Sequence, residues 1–114
     1  MPKRRERVAP PPRPDGWDFR FASNAAANGW DQLCRDVPSN GWAAWDAIVS
    51  DPRRRNTRQH PLRGPRRQCV VSGAEMEQWQ YEVTSGGRIW YGIDDAKRTI
   101  WMTHAGSGHP KATE

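Results

Sequence analysis

Between Trp79 and Thr103 apolar side chains recur on alternate residues in successive runs, parted by short turn segments. Trp79, Tyr81 and Val83 share one face of the first run, and Ile89, Tyr91 and Ile93 share one face of the second. Thr99 to Thr103 supplies the last. A period of two over such lengths is the signature of strands with one buried face. Ser85-Gly86-Gly87 is read as the positive-φ turn of a tight hairpin. Asp94 to Arg98 turns the chain again before the final strand.

Upstream the period changes. Trp17, Phe19 and Phe21 alternate with Asp18 and Arg20 and predict an N-terminal strand. Ser23 can cap a helix whose apolar positions are Ala26, Trp30, Leu33, Cys34 and Val37, with Gly29 inside it and Pro38 as its stop. Ser39 or Asn40 then caps a second helix, with Trp42, Trp45, Ile48 and Val49 on one face and Asp51-Pro52 at its end. So short a link makes the two helices antiparallel neighbours. Cys69-Val70-Val71 adds a short strand, and Gly73-Ala74-Glu75 reads as a loop. The predicted order is β-α-α-β-β-β-β. This is an α+β fold: an N-terminal strand, an antiparallel helical hairpin, then a mainly antiparallel sheet of about four strands.

At 114 residues the chain makes one domain, residues 17–114. Residues 1–16 are basic and proline-rich and read as a disordered arm. Only 35% of residues are hydrophobic, but seven tryptophans offset the scarcity of aliphatic side chains with large buried areas. No run approaches the roughly 20 apolar residues of a membrane span, and the N-terminus lacks the apolar segment of a secretory signal, so no membrane partner is expected. Cys34 and Cys69 are isolated, which fits a reducing cytoplasm without structural disulfide or metal. There is no metal-ligand spacing and no Gly-rich phosphate loop, so no cofactor is expected.

The net charge of +5 points to an anionic partner. Arg53 to Arg67 carries seven arginines and no acid. Such a cluster binds phosphates, and its alternative is a solubilising loop. Arg58, Arg63, Arg66 and Arg67 are therefore candidate RNA or phosphate ligands, joined by Lys111 in the tail. Arg88 opens the strand after the double-glycine turn. It is either a positioned phosphate ligand or the cross-strand partner of Glu82. His109 beyond the last strand suits acid–base work, or is an exposed tail residue. His60, within the arginine segment, is a second candidate base, and His104 closes the last strand with no evident partner. Trp90 and Trp101 fall opposite the apolar faces of their strands, either as a base-stacking platform or as a docking surface.

The order of these motifs resembles the RelE/ParE superfamily of toxins from bacterial toxin–antitoxin pairs. The resemblance is carried by two helices, then HPLRG (His60 to Gly64), WQYEVTSGGRIWYGID (Trp79 to Asp94) and TIWMTHAGSGHPK (Thr99 to Lys111). It implies a basic toxin that enters the ribosome and cleaves mRNA without a metal, with a cognate antitoxin as partner. On it, Arg88 matches a phosphate-binding arginine and His109 a basic residue after the last strand. His60 falls where a branch similar to the YoeB toxins uses a glutamate as base. Where RelE has strand lysines this chain has Gln80 and Glu82. The ParE branch of the same fold inhibits DNA gyrase; that activity, or a non-catalytic RNA- or protein-binding role, is the alternative the resemblance leaves open.

Overall fold

The computed structural model describes residues 3–8 and 16–106. Strand β1 (Asp18–Phe21) leads into helices α1 (Asn24–Asp36) and α2 (Pro38–Ser50). Then come β2 (Gln59–Pro61), a 3-10 turn (Gly64–Arg66), β3 (Gln68–Val71), β4 (Ala74–Glu82), β5 (Arg88–Asp94) and β6 (Thr99–Gly106). The α+β class stands, but the sheet is larger than four strands. It has six, in the order β1-β6-β5-β4-β2, with β3 on the remaining length of β4. It is mixed, because β1 runs parallel to β6 while the other pairs are antiparallel.

The alternation seen in the sequence packs one sheet face against the helices. Phe19, Phe21, Tyr81, Ile89, Tyr91, Ile93, Ile100 and Met102 meet Ala26, Ala27, Trp30, Leu33, Ala44, Trp45, Ile48 and Val49 in one core. Fully burying each large side chain contributes about 1.5–3 kcal/mol. Two buried polar groups tie the loop after α2 to this core. Gln59 Nε2 donates to Asp51 O at 2.8 Å and to Tyr91 Oη at 3.0 Å, while the Tyr91 hydroxyl donates to Pro52 O at 2.8 Å.

Ser23 caps α1, its Oγ accepting the Ala26 N–H at 3.0 Å. The second helix departs from expectation. It starts at Pro38 with Val37 as its cap residue and no side-chain cap, so neither Ser39 nor Asn40 performs that role. Proline at the first helical position loses no bond, because that N–H would have no helical partner anyway. Trp42 points outward, 58% exposed, whereas Trp45, Ile48 and Val49 are buried.

Three further differences concern the strands. β2 escaped notice because it is three residues long and ends in proline, which only an edge strand tolerates. β4 starts at Ala74, where a loop was expected, because Ser72 and Gly73 (φ 51° and 82°) make a two-residue hairpin joining it to β3. The turn at Ser85-Gly86-Gly87 uses no positive φ; Val83 N–H bonds to Gly87 O, and Gly87 N–H bonds to Thr84 Oγ1.

The stretch read as a disordered arm contains ordered residues. Arg5 N–H bonds to Phe21 O, Phe21 N–H to Glu6 O and Val8 N–H to Phe19 O, an antiparallel addition along the free edge of β1. Val8 is fully buried and belongs to the core. The backbone of β1 was already half-paired by β6, and a single apolar side chain suffices to anchor the segment beside it. No helix among the described residues is long and apolar enough to cross a membrane.

Candidate functional site

The sheet face turned away from the helices carries the polar and cationic side chains. Pairing brings His60 of β2, Gln80 of β4, Trp90 of β5 and His104 of β6 into one row across four strands. The next row holds Glu82, Arg88 and Gly106. A bulge at Thr103 shifts the β5–β6 register, and this puts His104 on the same face as Trp90. The two rings lie 5.3 Å apart, tilted by 55°.

The HPLRG segment has a clear mechanical reason. Between β2 and β3, both paired to β4, the chain makes an excursion over this face. Leu62 N–H bonds to Gln78 O, and Gln78 N–H bonds to Arg67 O, so both ends of the excursion are fastened to one residue of β4. The Gln78 side chain completes the fastening: its Nε2 donates to Arg66 O at 2.9 Å, and its Oε1 accepts the Thr103 hydroxyl. The excursion carries the Arg66 guanidinium to 5.7 Å from the Trp90 ring. Pro65, Arg66, Gln68, Cys69, Gln78, Trp90, Thr103 and His104 enclose a hollow of about 360 Å³.

Burial sets the chemistry of this hollow. Trp90 is only 6% exposed and its Nε1 donates to Gln80 Oε1 at 2.9 Å, so it is a wall of the hollow rather than the exposed platform expected. Trp101 is half-buried. Desolvation lowers the His104 pKa below its ordinary 6.5, which favours a neutral imidazole. His104 Nε2 is shut off from solvent and has no hydrogen-bond partner among the described residues. Cys69 is pushed up to about 11 by burial, so its thiol stays protonated and unreactive at neutral pH.

The predicted site residues divide into those brought together and those left apart. Arg88 lies at the head of β5 with 14% of its side chain exposed and pairs across the ladder with Glu82 at 3.6 Å. His60 is half-buried, with Nδ1 3.2 Å from Pro61 O. Arg58 Nη1 donates to Glu82 O at 3.1 Å and Val83 O at 3.4 Å, which fixes its guanidinium beside the Arg88 row. Arg63 and Arg67 are exposed at the ends of the 3-10 turn. His109 and Lys111 lie outside the described residues.

His104, which lacked a partner in the sequence, is the residue most changed by the fold. Its signal was present: alternation continues past Thr103 once one extra residue is counted as a bulge. Gln78 and Thr103 gave no signal, because their role is to hold a loop whose path the sequence does not spell. Among the described residues no three of His, Cys, Asp and Glu converge as a metal would require. No protein-family model matches this chain, and no curated protein matches it in sequence.

Proposed function

We propose that this chain is a toxin of the RelE/ParE kind that cleaves mRNA on the ribosome, using its open sheet face. The observation that carries the reading is the juxtaposition of His60, Trp90 and His104 in one row, with Arg66 above it and Arg88 in the next row. Aromatic walls and guanidinium groups together suit a single RNA strand. In the proposed reaction, His60 takes the proton of an RNA 2′-hydroxyl and that oxygen attacks the adjacent phosphorus. The bond to the 5′ oxygen breaks, leaving a 2′,3′-cyclic phosphate. An acid then protonates the departing oxygen, the role the resemblance gives to His109. Arg88 and Arg66 stabilise charge on the non-bridging oxygens. A cognate antitoxin would hold this face closed in the resting cell.

Expression of the wild-type chain is expected to arrest growth and to produce new RNA 5′ ends within translated messages. Loss of a positioned base costs about 10²–10⁴ in rate. His60→Ala and Arg88→Ala should each therefore abolish the new ends while leaving the protein folded. Wild-type cleavage by both variants would refute the mechanism.

The Glu82–Arg88 pair favours a second reading, in which the face binds without cutting. That reading predicts growth arrest without RNA scission, and gyrase-type DNA damage if the target is that of the ParE branch.

A further inference from the structure

A second hollow on the same sheet face is unused by the proposed chemistry. It measures about 410 Å³ and is lined by Arg5, Val71, Ser72, Ala74, Asp94, Ala96, Lys97 and Trp101. Distant parts of the chain build it: the N-terminal segment, the β3–β4 hairpin tip, the β5–β6 turn and the indole of β6.

The chemistry of these walls is specific. Trp101 pairs with Arg20 of β1 on one side and Gly92 of β5 on the other, so its indole stands on the open face. Glycine at the latter position leaves no side chain at that point of the row. Arg5 and Lys97 are both exposed at the hollow. Asp94 is the one acid in its wall, and its Oδ1 accepts the Lys97 N–H at 3.2 Å. Beyond Thr99 in the same row, Asp18 is held by both Arg7, at 3.0 Å, and Arg20, at 2.7 Å. An aromatic surface with two cations beside it fits a base and the phosphate that follows it.

We infer that this hollow is a second nucleotide subsite for single-stranded RNA, with a base against Trp101 and its phosphate held by Arg5 and Lys97. The inference rests on the RNA-directed reading of the face but not on cleavage. The strand crosses the sheet from the Arg58–Arg67 margin to the N-terminal segment, perpendicular to the β-strands. The basic segment ahead of β1 is then part of the RNA-binding surface.

The test uses the full chain and fluorescein-labelled 2′-O-methyl oligonucleotides of two and six nucleotides, which cannot undergo 2′-hydroxyl attack. Anisotropy at low salt gives the affinities. Arg5→Ala/Lys97→Ala changes only exposed side chains and should weaken the six-nucleotide probe about tenfold, with the two-nucleotide probe unchanged. Trp101→Ala should do the same, and Trp101→Phe should restore most of the binding because a ring still stacks. The inference is overturned if the wild type binds neither probe. It is equally overturned if the charge variant and Trp101→Ala both stay within twofold of wild type on the longer one. Binding that behaves as stated, in a protein that leaves ribosomal mRNA uncut, keeps the subsite and removes the nuclease.

Discussion

Glycine sets how closely α1 approaches the sheet. A Cβ at Gly29 would stand 1.8 Å from the carbonyl oxygen of Ala105, so the helix and β6 meet backbone to backbone. Helix propensity alone favours alanine there by about 1 kcal/mol. Overpacking against a carbonyl that cannot move costs more, and Gly29→Ala is expected to lose about 1–3 kcal/mol in urea unfolding. Gly92 is the control. A Cβ there meets side-chain atoms rather than backbone: Cys69 Sγ and Met76 Sδ at 2.7 Å and Met76 Cγ at 2.8 Å. Gly92→Ala should therefore cost clearly less. A Gly29→Ala midpoint at or above wild type would show that α1 can lift from β6. In the sequence Gly29 is only a glycine inside a predicted helix; its use becomes visible when β6 is laid beside it.

At the scale of elements, Arg53 joins three parts of the chain. From the loop after α2 its guanidinium reaches Glu77 of β4 at 2.9 Å and Asp95 of the β5–β6 turn at 2.7 Å. Hydrogen bonds from Arg53 pull both carboxylates below their ordinary values of 4.5 and 3.8. Such groups contribute stability that is full above the unfolded values and is lost as pH falls through the lowered folded ones. Thermal stability should accordingly decline below about pH 4.5. Arg53→Gln should flatten that decline while lowering the melting temperature at pH 7. An unchanged acid limb would show that the cluster is electrostatically idle. Such links explain which elements could be read in advance. β1, α1 and the cores of β4, β5 and β6 were legible because a repeating apolar pattern marks them over at least four residues. β2 and residues 3–8 were not, since each is held by backbone bonds to a neighbouring strand and leaves no pattern of its own. The residue types of the candidate site, Arg88, His60 and the arginine run, can be named from the sequence. Its assembly cannot, because a bulge and a pinned loop decide which rings meet.

Across the whole molecule the charge is unevenly spread. Arg58, Arg63, Arg66 and Arg67 gather along the β2 margin, while Glu75, Glu77, Asp94 and Asp95 line another hollow near the β3–β4 hairpin. A polyanion is drawn to the first region, whereas in the second Arg53 already pairs with Glu77 and Asp95. Each phosphate contact on a single strand contributes about 0.7 to the slope of log affinity against log salt. Arg63→Gln/Arg66→Gln/Arg67→Gln is thus expected to reduce that slope by about 2, as measured by anisotropy titrations at stepped salt. An unaltered slope would remove this margin from the binding surface. The sheet order has a different consequence. β6 lies between β1 and β5, so the first strand and the two helices have no finished surface to rest on until the last strand is made. A chain synthesised from its N-terminus therefore carries its arginine loop, Arg88 and Trp90 for some time before His104 and Trp101 arrive to complete either hollow. Whatever these hollows bind, they can bind it only once the last strand has been made.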